Sequence, residues 1–426
     1  MSPSAAALEL PAFPEAEAEA PNADRAVAAL YDDFPYPPPI ADLAPYIAGD
    51  KLPTFNPRDS WALHFPEQAP RDTLDILVAG CGTRVVPMLA ARMPRARIVG
   101  VDLSAASIAA SHDQCARYGL DHVSFHRMPL EEVATLGQDF DLVHCHGVLH
   151  HLADPSAGLR ALAAVTRPQG AISAMVYARY GRTGVYMLQD LAKRLGLDAN
   201  NGGAPFMQAL VKHLPDRHPL AMLPWGERPD LPIEEVADML LHPRDRAYTV
   251  HDVRELVDSA GLALHRWLGN AVYEPAVSPL GALGEHAIAQ AGPWERAAAM
   301  ELFHGRLITH SFVLTHPNRP TAAELFSGPG MVDAVPVRSP HLSATVDGDQ
   351  LALENRALQV PVRVTGPVEK LLPWLQAVDG RASVGVITWQ VHQGRLDAAT
   401  MRDALALFER LYQADIIELR SGAARG

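Results

Sequence analysis

Cysteine is scarce. The 426-residue chain has three, Cys81, Cys115 and Cys145; they are scattered without paired spacing, which excludes a disulfide framework or a cysteine-built zinc site and fits a reducing compartment. No apolar run reaches the ~18 residues that a membrane-spanning helix needs. The N-terminus has neither the basic start nor the apolar stretch of a secretory leader, so a cytoplasmic protein is the simplest expectation. Positive charge is also short: the net charge is −13 and no basic cluster stands out, which disfavours a nucleic-acid partner. Internal repeats are absent. What the chain has in quantity is apolar, with 48% hydrophobic residues over 426 positions, enough for a full core and two domains.

One more absence is informative. Leu74–Ala79 reads as a strand buried on both faces, because β-branched and leucine residues follow one another without polar alternation, and it runs into Gly80-Cys81-Gly82-Thr83. Glycines there let the backbone turn sharply and approach a ligand. A second strand, Arg97–Asp102, ends on a carboxylate about 20 residues further on, where it can accept hydrogen bonds from a ribose diol. This is a nucleoside-binding βαβ unit. A dinucleotide fingerprint would need a third glycine where Val85 stands, which argues against a nicotinamide oxidoreductase.

Further motifs follow in order. Phe140-Asp141-Leu142-Val143 leads through Val148-Leu149-His150-His151 to Asp154-Pro155, and Arg167-Pro168-Gln169-Gly170 forms a turn into a fifth strand. Together with the A-G-C-G-T turn, this series resembles the class I S-adenosylmethionine-dependent methyltransferases, over roughly residues 70 to 316. The resemblance implies a Rossmann-like seven-stranded α/β sheet closed by an antiparallel hairpin. It also implies a cofactor pocket in which Gly80, Cys81 and Gly82 approach the methionine part, Asp102 and Leu103 the ribose, and Met128, Pro129, Leu130, Cys145 and His146 the rest of the cofactor. Two positions depart from the family pattern. Val78 stands where an acid is usual, and Arg84 stands where a small residue is usual. Arg84 either salt-bridges the cofactor's carboxylate or narrows the pocket, and the second outcome, with the extra C-terminal unit, would suit a catalytically silent binding protein.

The domain expectation runs as follows. Residues 1–22 form a disordered tail rich in alanine and acids. Residues 23–70 form an N-terminal cap arm in which Tyr31-Asp32-Asp33-Phe34-Pro35-Tyr36-Pro37 is stiff and extended, with Tyr31 and Tyr36 as lid residues. Residues 71–317 are the cofactor domain, interrupted at 181–250 by a helical lid with stretches Val185–Leu195 and Ile233–Leu241. Residues 318–340 read as a linker, and residues 341–426 as a small α+β, winged-helix-like unit separable from cofactor binding. The lid and this unit are the candidate homodimer contacts.

Methyl transfer from a sulfonium needs donor and acceptor held in line and, for some acceptors, a base. His150, His151 and Tyr177 are the candidate catalytic residues, and Arg179, Tyr180 and Tyr186 candidate acceptor contacts. The histidines His144, His146, His150 and His151 are read as packing or acceptor contacts, so no metal is expected. The N-P-P-Y motif of amino-group DNA and protein-glutamine methyltransferases is absent after the fourth strand. The expected acceptor is therefore an O, N or S nucleophile of a small molecule or a protein side chain.

Overall fold

The computed structural model describes residues 23–51, 56–222, 230–288 and 291–422. The expected tail, 1–22, lies outside the described residues, as does part of the proline-rich loop within the lid.

The centre is a seven-stranded sheet: β1 (Asp75–Ala79), β2 (Arg97–Asp102), β3 (Val123–Arg127), β4 (Phe140–His146), β5 (Thr166–Tyr177), β6 (Ala263–Trp267) and β7 (Thr309–Thr315). The spatial order is β3-β2-β1-β4-β5-β7-β6, and β7 is antiparallel to both neighbours. β1 is buried along nearly its whole length, as its unbroken apolar run requires. The order reverses between β1 and β4, which opens a crevice at their carboxyl ends. Helices cover both faces. Ser104 caps the helix Ala105–Arg117 by accepting from the Ser107 amide, and Asp154 caps Pro155–Ala164, two starts that the sequence signals plainly.

Three elements differ from expectation. Tyr31 and Asp32 belong to a helix, Ala23–Asp33, because the first proline of the arm is Pro35 and every residue before it keeps its amide donor. The extended arm starts only beyond Asp33. The lid contains an additional helix, Gly203–Val211, between Thr183–Arg194 and Ile233–Leu241, and these helices share one apolar core.

The third difference is segment 318–340, which is folded and not a linker. It holds helices Ala322–Leu325 and Pro329–Asp333 and strand β8 (Val335–Arg338). Gly328 and Pro329 mark a helix start, and its apolar residues Phe326, Met331 and Val335 are buried. Beyond it, β9 (Leu342–Asp347), β10 (Gln350–Asn355) and β11 (Arg363–Pro367) form an antiparallel sheet. Helices Val368–Ala377, Val384–Val391 and Ala398–Gln413 follow, and β12 (Ile417–Arg420) returns to pair with β8.

This C-terminal unit is stitched into the first domain. Asp415, in the left-handed region at φ 54°, accepts from buried Arg266 at 2.5 Å and from the Ala271 amide at 2.7 Å. Gln359 bonds the backbone of Ile308 and Thr309 at the β7 edge. Arg319 is 1% exposed and ties Glu67, the His64 carbonyl and the Gly170 carbonyl together. Ala271 and Val277 of the first domain belong to the apolar core of the second. Truncation at Pro317 would bare the apolar surface that Ala271 and Val277 bury in the second core and remove Asp415 as the partner of Arg266, together with the Arg319 tie, so such a chain is expected to be recovered insoluble, which expression of the truncated form checks directly. These contacts weigh against the separability expected from the sequence, and the same expression test decides it.

Candidate active site

A cavity of about 420 Å³ opens at the crevice, within the size range of small-molecule sites. Its floor is the glycine turn. Gly80 has φ +67° and a Cβ placed there would sit 2.2 Å from the Val148 side chain, so only glycine fits. The Gly80 and Cys81 amides both donate to the Val101 carbonyl at 2.9 Å, bending the turn toward the end of β2. Asp102 completes it, accepting from the Gly82 amide at 2.8 Å and the Ser104 amide at 2.9 Å. Burial raises the Asp102 carboxyl above its ordinary range, and these amide donors oppose the shift.

The wall over the turn comes from the arm. Thr83 donates to the Pro37 carbonyl and the Arg84 guanidinium to the Pro38 carbonyl. Tyr36 and Pro37 line the cavity, and Ser104 donates to Asp32 of the first helix at 2.8 Å.

The far side is polar and comes largely from the lid. The Tyr31 hydroxyl donates to Asp238 at 2.7 Å, and burial raises the Asp238 carboxyl. The Arg182 guanidinium lies 3.5 Å over the Tyr177 ring and 3.4 Å from Asp245. Burial, then Asp238, pushes the Tyr177 phenol well above its usual value, so Tyr177 stays protonated and can only donate or pack. His151 Nδ1 is 2.7 Å from the Arg244 carbonyl. That oxygen only accepts, so Nδ1 carries the proton and the lone pair of the neutral ring is on Nε2. The ring stacks on His242 at 3.7 Å, and burial lowers its pKa ahead of the opposing pull of Asp238 and Asp245.

Of the residues singled out in the sequence, Gly80, Cys81, Gly82, Arg84, Asp102, Leu103, Met128, Pro129, Leu130 and His146 line the cavity, as do Tyr31, Tyr36, His151 and Tyr177. Five do not. Cys145 faces the hydrophobic core, because successive residues of β4 point to opposite faces and His146 takes the cavity side. His150 is fully buried behind His151, 4.0 Å from Tyr177. Arg179 turns out to pair with Asp252, Tyr180 is exposed, and Tyr186 packs beside Arg182. The sequence reading missed Arg182, Glu235, Asp238 and Met239 of the lid, together with Thr309. The trace for the acids was Glu235 and Asp238, one helical turn apart in Ile233–Leu241, where Glu234 is the one other charged residue.

Residues 77–172 match a family described as a methyltransferase domain. PKMT2 from Rickettsia typhi, solved in complex with AdoHcy, superposes with a TM-score of 0.60 at 14% identity, over 86% of this chain and 76% of that one. Residues 77–172 are thus a methyltransferase domain, built on the fold of the class I S-adenosylmethionine-dependent enzymes. An uncharacterised protein of Synechococcus is 34% identical over 255 residues, 56% of this chain and 58% of its own length; the chain thus spans little more than half of that relative. A ubiquinone biosynthesis O-methyltransferase of Pseudoalteromonas translucida is 22% identical over 42% of this chain and 72% of its own length. Among the described residues no helix is long and apolar enough to cross a membrane.

The cavity fits the family's cofactor, S-adenosylmethionine. The backbone at Gly80 has no room for a Cβ, and the buried Asp102 carboxylate stands where a ribose diol would need an acceptor. Asp102→Ala is therefore expected to weaken S-adenosylhomocysteine by roughly 1.5–3 kcal/mol, the worth of hydrogen bonds to a charged group. Calorimetry that returned the parental affinity would show this assignment of the pocket to be wrong.

Proposed function

We propose that the protein transfers the methyl group of S-adenosylmethionine to an oxygen, nitrogen or sulfur nucleophile of a small molecule or protein side chain, which enters the cavity from the lid side. The observation that carries this is the continuity of one cavity from the glycine turn and Asp102 to His151, Tyr177 and Asp238. The cofactor supplies an electrophilic methyl on a sulfonium. The chain's work is to align the acceptor with it, exclude water and take up a proton.

The parts divide by position. Gly80, Cys81, Gly82, Asp102 and Leu103 hold the donor, with Met128, Pro129 and Leu130 on the next strand end. Tyr31, Tyr177 and Asp238 orient the acceptor. His151, neutral and with its lone pair on Nε2, is the group positioned to accept the acceptor's proton. The O-methyltransferase relative gives modest support to an oxygen acceptor. The direct test is labelling of metabolite and protein fractions with a tritiated-methyl donor, in which a His151→Gln protein should leave the acceptor unlabelled. Absence of any transfer by the parent, despite tight S-adenosylhomocysteine binding, would favour a silent binding protein.

Arg84 acts here through two routes, its bond to the Pro38 carbonyl and its place on the cavity wall. Arg84→Ala is expected to weaken S-adenosylmethionine by about tenfold or more, in line with the loss of a charged hydrogen bond. If Arg84→Gly binds more tightly than the parent, the arginine obstructs the pocket and a salt bridge from it to the cofactor's carboxylate is excluded.

A further inference from the structure

Behind the acceptor side lies a group of buried polar atoms without hydrogen-bond partners among the described residues: both ring nitrogens of His150, one carboxylate oxygen of Asp245, Oδ1, and Nε2 of His242. Native interiors seldom leave such atoms unpaired, because each costs about 1–3 kcal/mol. His150, His151 and Asp245 each offer a ligand atom, and these atoms lie within 4.8 Å of one another. We propose that His150, His151 and Asp245 form a binding site for one divalent transition-metal ion of the zinc class.

The donor set is two imidazoles and a carboxylate, the chemistry that such ions take in preference to Mg²⁺ or Ca²⁺. The supporting contacts are of the kind that metal ligands keep. His151 gives its Nδ1 proton to the Arg244 carbonyl and leaves Nε2 bare, which fixes the ring as a ligand. Asp245 receives Gln189 at 2.9 Å and Arg182 at 3.4 Å on Oδ2, so Oδ1 is the oxygen left for an ion. Burial keeps both His150 and His151 neutral, the form that coordinates. Bonds of about 2.0–2.2 Å require the three side chains to draw in by about an ångström. Arg182 places a like charge nearby, which Asp238 opposes.

Three protein ligands leave a coordination position for water or an acceptor group. The site does not depend on methyl transfer, but the two interact: a lone pair on His151 held by an ion is not available as a base.

The test uses the full chain, stripped with a chelator and titrated with Co²⁺. The expected result is a saturable visible absorption band at one ion per chain, competed away by Zn²⁺. His150→Gln and Asp245→Asn should each weaken it at least about tenfold, while His126→Gln, an exposed residue of β3, should not. S-adenosylhomocysteine binding by thermal shift reports whether each variant is folded, and either folded variant is sufficient to decide. A parent without a saturable band, or a band of full strength in a folded His150→Gln or Asp245→Asn protein, would overturn the proposal and leave a buried water as the partner of these atoms.

Discussion

His151→Gln is expected to lower kcat by roughly 100- to 10,000-fold, the usual contribution of a positioned base, while S-adenosylhomocysteine binds as before. Glutamine keeps a polar group near the Arg244 carbonyl but has no basic nitrogen. The pH profile gives a second readout. Burial lowers the His151 imidazole below its ordinary value, so activity should be lost as pH falls through a midpoint under 6.5 and be level above it. That acidic limb should vanish in the variant. A residual limb, or a kcat within a few-fold of the parent, would reduce His151 to a packing residue.

The second large effect concerns stability. Glu418 on β12 is fully enclosed beside Ser60, and burial pushes its carboxyl up to about 8 despite the Arg266 charge nearby. The folded state therefore holds a proton that the unfolded chain releases above its ordinary 4.5. The stabilisation is fully present below about 4.5 and is lost as pH rises through 8. At about 1.36 kcal/mol per pH unit of difference, the total is about 5 kcal/mol. Glu418→Gln, which cannot ionise, should flatten this dependence and be the more stable protein at pH 9. Urea midpoints at pH 5 and pH 9 measure it; parallel behaviour of parent and variant would show that the carboxyl does not titrate in this range.

The glycine-turn side of the cavity was legible because its constraints act on the backbone. A turn that cannot accept a Cβ must be glycine, and a strand buried on both faces must be apolar, so Gly80, Gly82 and β1 stand out in the sequence. The lid side left little trace. Glu235 and Asp238 look in sequence like the solvated face of an amphipathic helix, and only the packing of the lid turns them inward. Arg179 and Tyr180 were misplaced for a local reason. Gly181 packs so tightly on the Leu307 carbonyl that a Cβ would come within 2.2 Å, and the chain turns there, so Arg182 enters the site and its predecessors face outward. The folded segment 318–340 was hidden by its prolines and glycines, which read in sequence as a break although Gly328 and Pro329 start a helix there.

The stitching of late residues onto early ones sets an order of events during synthesis. The backbone amide of Ser421 bonds the Pro66 carbonyl, Glu418 lies beside Ser60, and Arg319 closes on Glu67 and His64. These contacts span more than 250 positions in the chain, and contacts of such separation form late and slowly. As the chain emerges from the ribosome, the helix Trp61–His64 can find its final neighbours only after β12 has been made. Until then the face of this helix that meets β12 is uncovered, a surface of the kind that chaperones hold. Mutations near residue 415 should thus lower the yield of folded protein in cells even where the glycine turn and Asp102, more than three hundred residues earlier, are untouched.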